Sequence, residues 1–225
     1  MSRAVGRYAV ILTALLIVAC GSGQSVRVGN EEPGTAETDV KVEAYLFDAQ
    51  VQRGKKRNSF RLDVYQTDSI LALTGRGYLG KGALKGWMTR DSVKVLFPST
   101  NEYLYETIPG LIGAIDCLGE VPEVNLFSLF SALPDSVMTD PRVKIKSDYS
   151  DSGQPRFAVS YKGCPWSINL TYDHQDAGWR IKEFEFDDGH DNTLAGKRRI
   201  YKGDAKVPSS RFQLAVPASF VRIIP

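Results

Sequence analysis

The sequence predicts an α+β protein that is mostly antiparallel β: a strongly curved sheet or unclosed β-barrel with short helices covering the concave face. Three observations carry that expectation. Apolar and polar residues alternate with a period of two in segment after segment, the pattern of strands with one buried face. Gly, Pro and Asp clusters separate those segments at hairpin spacing. One stretch, residues 109–133, departs from the pattern, with apolar residues three and four apart as on a helix.

The chain opens on Arg3 and Arg7, then an apolar run from Tyr8 to Ala19. A basic start followed by a short apolar run is an export signal. The run falls short of the roughly 20 residues that a membrane-spanning helix needs. It ends Leu16-Ile17-Val18-Ala19-Cys20-Gly21. An aliphatic residue three before a cysteine, with small residues on either side of it, is similar to the bacterial lipobox. That resemblance implies cleavage before Cys20 and lipid attachment to its thiol. The alternative is a plain signal peptide with an incidental cysteine. Each buried methylene contributes about 0.8 kcal/mol, so two or three acyl chains anchor firmly. By the same resemblance, to lipoproteins of well-studied Gram-negative bacteria, Gly21 after the cysteine rather than aspartate implies the outer membrane, facing the periplasm. Residues 20–38 are polar, rich in Gly, Ser and Glu, and lack periodicity, the composition of a flexible tether. The expected organisation is a signal over 1–19, a lipidated N-terminus and tether over 20–38, and one domain over 39–225.

Within that domain, Phe60-Arg61-Leu62-Asp63-Val64-Tyr65 and Ser92-Val93-Lys94-Val95-Leu96-Phe97 alternate cleanly. The alternation places Phe60, Leu62 and Val64 on one face, as it does Val93, Val95 and Phe97, and turns Arg61, Asp63 and Lys94 toward water. It returns over 142–146, 157–161, 166–172 and 179–182, with turns at 153–155, 163–165, 173–178 and 187–189. In the helical stretch, Leu111, Ile112, Ile115 and Leu118 mark a first short helix ending near Gly119. Leu126, Phe127, Leu129, Phe130 and Leu133 mark a second. Pro122 separates the two, and Pro134 ends the second. Nothing marks an internal domain boundary.

Removing Arg3 and Arg7 with the signal leaves 28 − 2 = 26 Lys and Arg against 26 Asp and Glu. A formally neutral domain without a basic stripe gives no reason to expect a nucleic-acid partner. With Cys20 lipidated, Cys117 and Cys164 remain, either as a disulfide, which an oxidising compartment favours, or as two free thiols. Gly75-Arg76-Gly77-Tyr78-Leu79-Gly80 fits the letters of a dinucleotide-binding turn, but the glycine-rich sequence after it is no helix former. These glycines are expected at bulges and bends instead. Asp187-Asp188-Gly189-His190-Asp191 is expected as a polar hairpin turn rather than a cation site. Neither His174 nor His190 has a nucleophile elbow to serve. The expectation is a protein that is not an enzyme and takes no cofactor and no metal.

Several stretches together resemble a known family. They are Phe60 to Gln66, Leu79 to Gly86, Val95 to Tyr103, the Leu- and Phe-rich segment from Asn125 to Leu133, and an ending with Phe212-Gln213-Leu214-Ala215-Val216-Pro217 and then Val221-Arg222-Ile223-Ile224. In order and type they are similar to the bacterial lipoprotein-localisation factors: the periplasmic lipoprotein carrier, its outer-membrane receptor and related lipoproteins. The resemblance implies an unclosed barrel with short helices plugging an apolar cavity that receives acyl chains, and closing strands formed by the ending. The cavity wall would be Phe60, Leu62, Val64, Val93, Val95 and Phe97, with Leu111, Ile115, Leu126, Phe127 and Phe130 from the cover. Residues near Ile108 to Ile115 are the candidate for the receptor's exposed apolar loop. The partners implied are the membrane through the N-terminal lipid, acyl chains or lipoproteins as ligands, and an envelope protein. The function expected first is passive binding of acyl chains or lipoproteins for transport or localisation. The alternative is a non-enzymatic scaffold or accessory lipoprotein of an envelope assembly machine, in which the same residues fill a solid core.

Overall fold

Period-two alternation builds most of this molecule. The computed structural model describes residues 38–77, 82–114, 117 and 126–224, without the side chains of Ile112 and Leu126. The signal, Cys20, residues 21–37 of the tether, and Ile115 lie outside the described residues. Strands β1 (Asp39–Arg53), β2 (Lys56–Gln66), β3 (Leu71–Arg76), β4 (Gly82–Met88), β5 (Ser92–Phe97) and β6 (Glu102–Thr107) form one antiparallel meander. Strands β7 (Val143–Tyr149), β8 (Pro155–Tyr161), β9 (Ser167–Gln175), β10 (Gly178–Asp187) and β11 (Asn192–Pro208) form a second. The two meanders fuse because β1 pairs with β11, from Asp39↔Pro208 to Arg53↔Asn192. A last short strand, β12 (Val221–Ile223), adds parallel to β6. The result is one 12-stranded sheet in the order β12-β6-β5-β4-β3-β2-β1-β11-β10-β9-β8-β7. β12 and β7 are its free edges, so the sheet stays open.

The register aligns apolar residues into continuous rows on one face. One row runs Ile223–Leu104–Val95–Gly86–Leu73–Val64–Tyr45–Tyr201. Another runs Phe60–Ala49–Gly196–Phe184–Leu170–Phe157. Gly196 is required there: a Cβ on it would lie 2.4 Å from the Phe184 ring. That close approach lets Phe184 meet Phe47 edge to face at 5.4 Å.

Two crossings cover the sheet. Residues 108–142 connect β6 to β7, and their described part from Leu126 on packs Phe127, Leu129 and Phe130 against the apolar face. They carry α1 (Ile108–Gly113), a 3₁₀ turn (Leu126–Phe130) and α2 (Pro134–Val137). Thr107 caps α1, its Oγ1 accepting the Gly110 N–H at 3.0 Å. These elements differ from the two helices expected over 109–133. The second is a tight 3₁₀ turn, the form short packed segments take, and Pro134 opens α2 rather than ending a helix. The first helical position needs no N–H, so proline fits it.

Residues 209–220 form the second crossing, from β11 to the β6 edge over the opposite face. Arg211 lies over the Tyr65 ring at 5.7 Å, and Lys94 Nζ reaches the Leu214 carbonyl at 3.5 Å. This corrects two expectations. The ending from Phe212 to Pro217 is not a strand; only Val221–Ile223 pair. Of the three residues expected to face water, Arg61 does, while Lys94 is half-buried over the Tyr105 ring. Asp63 is buried and ion-paired with Arg76. A face shielded by a chain crossing is not a water face, whatever its alternation says.

Cys117 and Cys164 form a disulfide across a sequence separation of 47 residues. It fastens the covering segment to the loop between β8 and β9. Of the GxGxxG letters, Gly75 and Arg76 end β3 at a register shift and Tyr78 to Gly80 lie outside the described residues; the next described element is the strand β4, not a helix.

Two outcomes are expected. Alkylation under denaturing, non-reducing conditions leaves Cys117 and Cys164 unlabelled by mass spectrometry, and reduction lowers unfolding stability by up to about 4 kcal/mol, the loop-entropy value for this separation. Gly196→Ala displaces Phe184 and costs about 1–3 kcal/mol in urea unfolding, the usual penalty for overpacking.

Candidate functional site

The residues expected to wall a cavity do come together. Phe60, Leu62, Val64, Val93, Val95, Phe97, Leu111 and Phe127 belong to one buried cluster, with Phe130 packed against it. Leu126 is placed by its backbone in the 3₁₀ turn, while Ile115 lies outside the described residues. Ile108 and Leu111, the candidate exposed loop, are buried instead. Pro109 and Gly110 beside them are exposed, and the Ile112 side chain and Ile115 lie outside the described residues.

The cover is held by rings and two phenols. Phe130 meets Tyr45 edge to face at 5.8 Å and Phe47 at 6.4 Å. Tyr172 Oη donates to the Leu129 carbonyl at 2.9 Å, and Tyr45 Oη lies 3.4 Å from the Phe130 carbonyl. A 3₁₀ turn this short leaves its last carbonyls without partners inside the turn, and the Tyr172 phenol supplies one for Leu129. Tyr45 and Phe47 escaped the sequence reading, whereas Tyr172 falls on the strand expected over 166–172 and Phe184 is among the aromatics expected to pack inward. Tyr45 and Phe47 share a parity along β1 that Ala44 and Leu46 obscure. Phe184 lies on β10 beyond its clean alternation.

At one end of the sheet the inner row of β1 turns from apolar to charged. Glu43 follows the parity of Tyr45, Phe47, Ala49 and Val51, and its carboxylate pairs with Arg180. Tyr45 Oη donates to Glu43 Oε2 at 2.6 Å. Burial pushes the Tyr45 phenol far above the usual tyrosine range, and the Glu43 carboxylate adds to the rise. Burial works to lower the Arg180 guanidinium, but Glu43 more than offsets it, so the arginine stays charged. Arg180 and Arg198 flank the Tyr201 ring at 6.0 and 5.4 Å. Arg198 in turn holds both Asp173 oxygens, at 2.6 and 2.5 Å.

This network borders a mouth of about 860 Å³. Phe127, Ser128 and Ser131 of the cover form one wall. Glu43, Gln66 and Arg180 form its strand side, with Lys41, Asp68, Arg90 and Asp204 at the rim. The residues come from four strands and the cover, so no local spacing in the sequence announces them.

The remaining sequence motifs are structural. Asp188 accepts from the backbone N–H of His190 at 2.7 Å and of Asn192 at 3.1 Å, and Gly189 N–H donates to Asp187 at 2.7 Å. These carboxylates are spent on their own turn. His174 packs edge to face on Trp179 at 5.2 Å. Among the described residues no group of three or more His, Cys, Asp and Glu converges as a metal site would require.

Removing one partner of a buried ion pair costs about 3–5 kcal/mol, because the other charge stays buried alone. Glu43 keeps 22% side-chain exposure, so Glu43→Gln is expected near the lower end of that range. Glu43→Leu combined with Arg180→Met is expected to cost less than the sum of the singles. Urea midpoints of the three variants check this. A single-variant loss below about 0.5 kcal/mol would place the pair with ordinary surface bridges.

No protein-family model and no curated protein matches this chain. Among solved structures it is similar to an uncharacterized conserved protein from Thermus thermophilus, at 13% identity and TM-score 0.42, over 79% of this chain and 90% of that one. It is similar to a LolA superfamily protein from Nitrosomonas europaea at 8% identity and TM-score 0.35, over 77% and 90% of the two chains. A DUF1329 family protein from Desulfovibrio piger aligns at 10% identity and TM-score 0.41, over 93% and 97%.

Proposed function

We propose that this protein is an envelope lipoprotein, anchored through Cys20 at the outer membrane and facing the periplasm, that binds acyl chains or lipoproteins for their transport or localisation. It does so without a catalytic residue, cofactor or metal. The observation that supports the reading best is an open sheet whose apolar face is covered, in the described residues, by the short turn Leu126–Phe130. Between the disulfide at Cys117 and the start of β7, the cover is held chiefly by the 3₁₀ turn Leu126–Phe130.

Magnitudes favour exchange. Burying Phe127 and Phe130 contributes about 1.5–3 kcal/mol each, and an acyl chain contributes about 0.8 kcal/mol per buried methylene. A chain with a dozen methylenes therefore outweighs the two rings by a few kcal/mol even after the cover is displaced. The mechanism is displacement: the 3₁₀ turn swings off the sheet, breaking its two phenol contacts, and the chain takes the space against Phe47, Val64 and Val95. Release is the reverse, driven by return of the cover.

One observation favours the second reading, a scaffold or accessory lipoprotein of an envelope machine. Phe130 packs edge to face on both Tyr45 and Phe47, which stack on each other, so the cover lies directly on the sheet. In that reading nothing enters, and a partner meets the outside of the sheet.

The two separate in one experiment. Native mass spectrometry of the purified protein, followed by lipid extraction, is expected to return a bound acyl species, and the protein is expected to take up a fluorescent fatty acid. Phe127→Asp places a charge in the path of the chain and should weaken uptake by about tenfold or more, the value of roughly 1.4 kcal/mol, while far-UV circular dichroism keeps its strand signal. A clean apo mass with no uptake would put the scaffold reading first.

A further inference from the structure

An open sheet has two edges, and here they differ. β12 is three residues long. β7 is seven, Val143–Tyr149, without glycine, proline or a register shift against β8. Along it Lys144, Lys146, Ser147, Asp148 and Tyr149 are exposed, Tyr149 to 72%. A long regular edge presents a row of main-chain donors and acceptors, a template for another strand.

The parity of that row follows from the β7–β8 hairpin. Ser150 N–H donates to the Gln154 carbonyl at 2.8 Å, and Lys162 N–H donates to the Arg142 carbonyl at 3.0 Å. Both ends of the ladder thus bond at even-numbered residues of the β7 side, and the register between them is unbroken. Bonded and non-bonded positions alternate in an antiparallel ladder, so Ile145, Ser147 and Tyr149 turn their N–H and C=O groups away from β8. Pro155 lies opposite Tyr149 and has no N–H to give, which fits the same parity. The Tyr149 carbonyl takes a long contact from Arg156 Nη2, at 3.4 Å, and keeps a second lone pair.

The charges along this edge are complementary to themselves. Within the sheet Lys146 lies opposite Ala158, and Asp148 lies opposite Arg156, which donates to both its oxygens at 2.9 Å. In an antiparallel pair of β7 strands centred on Ser147, Lys146 of each copy faces Asp148 of the other, and Ile145 faces Tyr149. Centring the pair on Ile145 or Lys146 instead opposes lysines, and centring it on Asp148 opposes aspartates. Opposite charges directly across two strands stabilise the pair and like charges destabilise it, so the charges select the Ser147 register.

We infer that β7 is a self-association edge: two copies pair antiparallel about Ser147, each using the same surface, and one open sheet continues into the next. Ile145 of each copy covers the exposed Tyr149 of the other, and the two apolar faces lie side by side. The inference stands independently of the acyl-binding reading. One strand pair is a small interface, so association is expected to be reversible and in the micromolar range.

Sedimentation velocity of the purified full chain over a concentration series, with detergent in excess over protein, tests it. The wild type is expected to pass from monomer to dimer. Ser147→Pro removes an N–H that the β7–β8 ladder does not use, and edge strands tolerate proline at such a position. It is expected to raise the dimer dissociation constant about tenfold or more while far-UV circular dichroism is unchanged. Lys146→Asp and Asp148→Lys each oppose like charges across the pair and are expected to be monomeric alone. Mixed in equal amounts they are expected to dimerise, because every facing pair then joins a lysine to an aspartate, and a folding defect cannot produce that rescue. A wild type that stays monomeric at millimolar concentration would overturn the inference. So would a dimer that survives Ser147→Pro and both charge variants, or a mixture that fails to dimerise.

Discussion

The β1–β11 ladder is the constraint on which the rest of the structure depends. It joins two meanders that would otherwise be separate sheets, and it pairs residues as far apart as Asp39 and Pro208. Long-range pairing of this kind carries a large loop-closure entropy, which nothing local repays. The return comes from area: fusion makes the rows on the apolar face continuous, so Tyr45 and Phe47 pack simultaneously against neighbours from both halves. Once the halves are fused, β6 and β7 lie far apart near opposite sides of the sheet. The chain between them has one short route, across the apolar face. The covering segment thus follows from the topology, before any function is asked of it. The same logic sends residues 209–220 over the other face to reach the β6 edge.

That topology also decides how the cover is fastened. The crossing is fixed at its start by α1, whose Ile108 and Leu111 are buried, and at Cys117 by the disulfide to the β8–β9 loop. Beyond Cys117 the described attachments are the buried side chains of Phe127, Leu129, Pro134 and Met138, the Phe130 ring, the Tyr172 hydrogen bond to the Leu129 carbonyl, and at the far end the Lys162 N–H to Arg142 carbonyl bond. A net hydrogen bond contributes about 0.5–1.5 kcal/mol. The described part of that second half lies over Tyr45, Phe47 and Tyr172.

How much of this the sequence disclosed depends on whether each element kept its own period. β2 and β5 were legible because Phe60, Leu62 and Val64, and Val93, Val95 and Phe97, alternate without interruption. β3 and β4 were not, since Gly75 and Gly86 occupy inner positions with no side chain to register. β1 hid behind Ala44 and Leu46. β11 is rich in Lys, Arg and Gly, and its pairing with β1 shifts register near Ala44 and Phe47, which erases a simple period. The cover was legible as apolar and short but not as 3₁₀, because period alone does not distinguish the two helical forms over five residues. The cysteine pair was legible by counting. Asp63 and Lys94 misled because alternation reports which face a residue takes and says nothing of what later crosses that face.

The mouth was least legible of all, for a physical reason. Glu43, Gln66 and Arg180 each end or interrupt an apolar stretch on a different strand, and each alone reads as an ordinary strand terminus. Only the register brings them beside one cavity. Apolar side chains would close that end of the rows at less cost, as Phe60 and Val51 do at the opposite end. An acceptor left unpaired at Gln66 and a buried charge at Arg180 that consumes a carboxylate both lower stability relative to that solution.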